Sequence, residues 1–277
     1  MSSFHLYDIQ RKSGLFVRKF GSNDSIDLQE NNPDADDLAA NIWDYEDKQL
    51  YVYPSDSGEV MYVSSDSTSD TTVLITINGL DENFEEKNQT ITLTGTTPIQ
   101  LDGLWTRIQR AFNSGASDLA GNVYIYTTGE ETDGVPDDPA NVKGHIENQH
   151  QQTRQAFYTV PKGKQFNVSG YHISCDAKTS NSDVNLTIAF QVRFFGGVFR
   201  TQEIIAVSNK APSIVKVDMP FPLPQKTDIR PIIINSSANS SYIILVIISC
   251  NSSEISINSF VISSAKTVSS YVIVTAM

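Results

Sequence analysis

Few residues in this chain are of a type and spacing that performs chemistry. Its 277 residues include two cysteines and four histidines. His145 and His150 stand five apart in a polar stretch, whereas two metal ligands on one helix face stand four apart. No Cys-x-x-Cys or His-x-x-x-His pair occurs. Serine is so common that its presence says nothing of a triad, and no Gly-x-Ser-x-Gly elbow marks a nucleophile. No Gly-x-Gly-x-x-Gly or Walker-type loop is present, and Gly196-Gly197 reads as a hairpin turn rather than a phosphate cradle. The expectation is a protein that is not an enzyme, with no catalytic, cofactor-binding or metal-binding residues and no cofactor. The nearest approach to a metal site is calcium. Asp133, Asp137 and Asp138 share one loop and Asp34, Asp36 and Asp37 another, and clustered carboxylates suit a hard cation. Neither cluster has the spacing of a helix-loop-helix calcium loop, so solvated or helix-capping roles are favoured. A polysaccharide-degrading enzyme needs two carboxylates about 5–9.5 Å apart, and nothing in the sequence singles out a pair.

Other polar groups have bland readings. Tyr51, Tyr53, Tyr62, Tyr124 and Tyr126 fall in β-patterned segments. Aromatics placed so are more often core or interface than sugar platform. Cys175 and Cys250 read as two thiols rather than a disulfide in a chain made in a cytoplasm; both lie in β-patterned stretches, which leaves cross-strand neighbours open. Asn-x-Ser/Thr sequons such as Asn185-Leu186-Thr187 follow from a Ser/Asn-rich β composition.

The elements that must position these groups are strands. Residues 1–37 read as an extended arm, sticky at Phe4, Phe16 and Phe20, and Pro33 to Trp43 as a short helix with acidic residues at its start. Between residues 38 and 129 the segments Leu50–Tyr53, Val60–Val63, Thr71–Ile77, Gln89–Thr94, Trp105–Phe112 and Val123–Thr128 alternate or are rich in β-branched residues. Asn78-Gly79 is a strong turn dipeptide. Five or six short strands point to a small immunoglobulin-like β-sandwich. Residues 130–152 are rich in Pro, Gly and acid and read as a linker. From 153 to 277 about nine strand patterns recur without a helical period, including Val184–Phe195, Thr227–Ile234, Tyr242–Ser249, Glu254–Ser263 and Val268–Thr275. Phe221-Pro222-Leu223-Pro224 reads as an extended connection, because proline cannot donate in a central ladder. The pattern suits a jelly-roll-like sandwich. The fold class expected is therefore all-β: two β-sandwich domains behind an extended N-terminal arm.

Charge is distributed unevenly. The total is −12, which disfavours generic nucleic-acid binding, since that affinity comes from neutralised phosphates. Residues 1–20 hold four basic residues and one acidic, residues 21–86 hold one basic and 17 acidic, and residues 136–277 hold 12 basic and nine acidic. Such polarity suits a partner that is another protein chain. The basic face of Trp105–Phe112 asks for an acidic neighbour. No basic-then-apolar leader pattern opens the chain, and the longest apolar run, Tyr242 to Ile248, falls short of the ~20 residues of a membrane helix.

Two stretches resemble a known class of protein. Ile75-Thr76-Ile77-Asn78-Gly79-Leu80-Asp81, followed by Thr90 to Thr97 ("TITLTGTT") and by Trp105-Thr106-Arg107-Ile108-Gln109-Arg110-Ala111-Phe112, is one. Phe157-Tyr158-Thr159-Val160-Pro161-Lys162-Gly163-Lys164, then Gln191 to Arg200 ("QVRFFGGVFR"), then Leu223 to Ile229 ("LPQKTDI"), is the other. Together they span about residues 42–247. The pattern is similar to virion structural proteins of tailed phages and other large DNA viruses, particularly marine ones. The resemblance brings no catalytic residues. It implies a minor capsid, decoration or fibre-like component, located in the virion and synthesised in the host cytoplasm. Its partners would be other capsid or tail subunits, and it would form a homo-oligomer. A receptor- or glycan-binding spike and a polysaccharide-degrading tail enzyme are the rival readings, and a host glycan is the other partner open to it.

Overall fold

A computed structural model describes residues 40, 41, 43, 45, 51–127, 131–177, 185–210, 213–236, 242–250 and 263–265. Among these the regular structure is β throughout, with one turn of 3₁₀ helix at Pro139–Asn141. The strands are β1 (Ala40–Asn41), β2 (Met61–Ser65), β3 (Leu74–Asp81), β4 (Glu86–Thr92), β5 (Ile99–Gln100), β6 (Trp105–Asn113), β7 (Val123–Thr127), β8 (Glu131–Thr132) and β9 (Val135–Pro136). They continue as β10 (Val142–Ile146), β11 (Tyr158–Thr159), β12 (Phe166–Ala177), β13 (Asn185–Arg193), β14 (Arg200–Ser208), β15 (Ser213–Leu223), β16 (Asp228–Ser236), β17 (Tyr242–Cys250) and β18 (Ser263–Ala265). All pairings are antiparallel.

The first half consists of a sheet ordered β10-β7-β2-β5 and a second ordered β4-β3-β6. Alternation puts Ile75 and Ile77 of β3, Trp105, Ile108 and Ala111 of β6, Met61 and Val63 of β2, Val123 and Ile125 of β7 and Ile146 of β10 into one buried core. A face that is apolar every second residue is solvated on one side and packed on the other, which gives the layered, sandwich-like arrangement. Thr76 and Thr90 meet across the wet face, 2.8 Å between hydroxyls.

Asn78-Gly79 does not turn the chain. It lies inside β3, at a register shift against β6. The reason is close approach: a Cβ on Gly79 would stand 2.1 Å from the Arg107 carbonyl and 3.1 Å from the Trp105 ring. The reversal comes four residues later, where Asp81 accepts from the backbone N–H groups of Asn83 and Glu85 and Phe84 takes φ 64°.

The stretch expected to be a linker is not one. β10 is buried at every position and pairs with β7 as an outer strand of the first sheet, and Gln152 and Thr153 bond to β6. Its polar composition misleads because Lys143 and His145 are buried. Nor is the start of the chain as expected. Of the helix read over 33–43, residues 40 and 41 are extended and pair with β16, and Trp43 bridges Gln155; the remainder lies outside the described residues. Tyr51 to Ser55 belong to no strand.

In the second half one sheet runs β1-β16-β13-β14, with β11 also on β16, and another runs β15-β12-β17-β18. β13 and β14 form the expected hairpin at Gly196-Gly197, with Gly196 at φ 73°. Pro222 lies within β15 rather than in a connection; β15 is an edge strand, where proline's missing donor costs no ladder bond. The register also separates the cysteines: Cys250 is opposite Val168 and Cys175 opposite Ile244. Seven positions of one strand at ~3.3 Å each lie between them, far beyond the ~7 Å that a disulfide spans. Of the other second-half readings, residues 254–262 and 268–275 lie outside the described residues.

Candidate functional site

The two halves meet along a seam whose centre is charged and dry. On β6 the inward positions Trp105 and Ile108 feed the first core, and Arg107 is directed to the other side. Its side chain is 3% exposed. Asp228, 2% exposed, stands at the first position of β16. Arg107 Nε donates to Asp228 Oδ1 at 2.8 Å and Nη2 to Oδ2 at 3.1 Å, the two-pronged geometry of a guanidinium on a carboxylate. Arg193, the last residue of β13 and directly opposite Asp228 in the ladder, donates Nε to Oδ2 at 2.7 Å. Thr159 of β11, also opposite Asp228, donates its hydroxyl to Oδ1. Arg107 reaches further, to Asp56 Oδ1 at 2.7 Å and the Pro54 carbonyl at 3.4 Å. Burial by itself pushes the Arg107 guanidinium down; the hydrogen bonds and charge of Asp228, then Asp56, outweigh it and hold its pKa above the ordinary arginine range.

Aromatic rings cover this cluster. Arg107 lies 5.1 Å from the Tyr53 ring centre and 5.2 Å from that of Phe84; Arg193 lies 4.7 Å from Tyr53 and 5.0 Å from Phe199. Ring faces are electronegative, so they accept guanidinium groups that water has left. Outside the charged centre the seam is hydrogen-bonded and apolar. Gln109 Nε2 donates to the Thr159 carbonyl at 2.8 Å, and Gln155 Nε2 to the Ile108 carbonyl at 2.8 Å. Trp43, Tyr51 and Phe157 pack with Tyr124 and Tyr126 as a second core. At the exposed end Lys162 pairs with Glu85 and Lys164 with Glu86.

The groups singled out from sequence are placed elsewhere. Tyr51, Tyr124 and Tyr126 are buried, and Tyr53 and Tyr62 are half-buried against the same cluster, so the five tyrosines do not form an open platform. Burial raises the hydroxyls of Tyr51 and Tyr53 beyond the usual range, and burial with nearby Asp66 pushes Tyr124 up to about 12. His145 lies against the rings of Tyr45 and Tyr124. His150 Nδ1 is 3.0 Å from Glu147, but burial, then the charges of Arg154 and His145, lower the ring to about 4 and leave it neutral at pH 7. Asp137 accepts from the Thr132 hydroxyl and Asp138 caps the 3₁₀ turn through Ala140 N–H, while Asp133 sits at φ 51° in the β8–β9 turn. Capping is thus the use of Asp138. No group of three or more His, Cys, Asp or Glu converges on a common point among the described residues. Asp34, Asp36 and Asp37 lie outside the described residues. A recess beside the seam, lined by Tyr51, Tyr53, Arg107, Gln109, Phe157 and Thr159, offers about 10 Å³, room for one water molecule.

Sequence reading noticed the basic face of β6 and expected an acidic neighbour. That neighbour belongs to the same chain and is Asp228, over a hundred residues away. The signal in the sequence for Asp228 and Arg230 is a charged pair at two-residue spacing in an otherwise apolar strand. Arg107, Thr159, Arg193 and Asp228 each lie in one of the quoted resemblance segments, so four separate motifs meet at a single carboxylate. Compared with protein-family models, curated proteins and solved structures, the chain finds no match in any of the three.

Proposed function

We propose that this chain is a virion structural protein, a minor capsid, decoration or fibre-like component that works by binding other capsid or tail subunits. In this reading it is built from two β-sandwiches, the second jelly-roll-like, and acts as a homo-oligomer with no catalytic step. The observation that carries the proposal is the meeting of the resemblance segments at Asp228. Four segments distant in the chain converge on what fixes one half against the other, and Arg107, Thr159, Arg193 and Asp228 supply that joint.

A second feature supports binding. Beyond the joint, the β13–β14 hairpin presents Phe195 at 53% exposure and Val198 at 68%, beside Phe194. Large apolar groups clustered at a tip are the common mark of a protein contact. The test is to purify particles of the virus encoding the chain and determine its presence and copy number by quantitative mass spectrometry. A fixed, symmetric copy number is the expected result. Abundant synthesis in infected cells with none in the particles overturns the proposal.

A further inference from the structure

The seam holds more positive charge than it neutralises. Arg107, Arg193 and Arg230 face two carboxylates, Asp228 and the partly exposed Asp56. Asp228 accepts four hydrogen bonds, from Arg107 twice, Arg193 and Thr159, which fill the roughly four lone-pair directions of a carboxylate. Arg230, two residues along β16, is therefore left out. It is 8% exposed. Its Nε donates to Gln191 Oε1 at 3.0 Å, and its guanidinium lies 3.8 Å from the centre of the Phe199 ring. Its two terminal nitrogens meet no acceptor among the described residues. The edge that carries them keeps contact with solvent, from which an anion can reach it. The ring and the glutamine hold the group in a fixed plane without neutralising it.

We infer that Arg230, held by Gln191 and Phe199 and flanked by Arg193, is a binding site for an oxyanion. The ligand is a carboxylate or phosphate group that presents two oxygens to the free edge of the guanidinium. That edge is suited to a bidentate anion and poorly suited to a neutral ligand. Arg193, 5.0 Å from the same ring and paired with Asp228, adds positive charge beside Arg230 and makes an anion there more favourable. The inference stands on the seam geometry and is independent of the virion reading.

The test uses the full chain with nitrogen-15-labelled arginine and follows the side-chain Nε–Hε signals by NMR. Inorganic phosphate and acetate are titrated separately at constant ionic strength. Arg230 and Arg193 shift saturably, while Arg110, whose guanidinium is held by Gln152 on β6, does not. Saturation by phosphate alone assigns a phosphate ligand, and saturation by acetate assigns a carboxylate. In Arg230→Gln the rise of thermal midpoint with the effective anion falls at least fivefold. Should that variant not fold, the wild-type spectra decide alone. Linear, unsaturating shifts at Arg230, or equal shifts at Arg110, overturn the inference.

Discussion

Replacing Asp228 by asparagine tests the joint directly. The change keeps the shape of the side chain but removes its charge and turns one oxygen into a donor. Arg107 and Arg193 then face an amide N–H₂ where they had a carboxylate oxygen, and Arg107, 3% exposed, has no solvent to replace it. Removing one partner of a buried ion pair costs about 3–5 kcal/mol. That is a large share of the ~5–15 kcal/mol that holds an ordinary fold. With a urea m-value near the upper end of ~1–3 kcal/mol/M, the unfolding midpoint falls by roughly 1–1.7 M. Trp105 in the first core and Trp43 in the seam cluster supply the fluorescence, so the assay also shows whether core and seam unfold together. Asp228→Asn is expected to lower both signals. The control is Lys162→Ala, which breaks the exposed pair with Glu85 and leaves the midpoint nearly unmoved. A loss in Asp228→Asn no larger than in that control refutes the argument that the buried charges join the halves. A second check is pairwise: Arg107→Met with Asp228→Leu together costs less than the two single changes summed, because the double variant leaves fewer unpaired charges.

The other predictions concern single contacts. Gly79→Ala places a methyl 2.1 Å from the Arg107 carbonyl, so it destabilises by about 1–3 kcal/mol or more in urea denaturation; full stability would mean that β3 and β6 do not approach so closely. Lys143 donates to the carbonyls of Val52 and Ala140 at 2.8 and 2.6 Å, and burial lowers its amine to about 8 from the usual 10.5. The unfolded chain holds that proton more tightly, so the contribution of Lys143 to stability rises with pH between about 8 and 10.5, is complete above that range and is lost below it. Lys143→Met removes this slope, measured as the difference from wild type in unfolding free energy at pH 7 and pH 10. Deleting residues 1–32 abolishes particle assembly but leaves residues 51–250 folded, read by particle incorporation and circular dichroism; unchanged incorporation refutes a docking role for the arm. Val198→Ser keeps the unfolding midpoint and lowers incorporation into particles, since that side chain is 68% exposed.

Local rules settled much of this protein. Alternation and β-branching in Thr71–Ile77, Trp105–Phe112 and Val184–Phe195 made strands inevitable, because side chains that alternate by type segregate onto the two faces of a pleated ribbon. Gly196-Gly197 similarly marked its own hairpin. Composition failed where polar residues are buried by partners distant in sequence. Lys143 and His145 made a core strand read as linker, and Asn78-Gly79 read as a turn although its glycine serves a close strand crossing. Which carboxylate would neutralise Arg107 was also beyond local reading, since Asp228 is brought to it only when β6, β11, β13 and β16 assemble. A strand's existence follows from its own periodicity. The fate of a buried charge depends on what the tertiary structure sets within about 3 Å of it, and in this chain that distance decides that two apparent domains share one ionic centre.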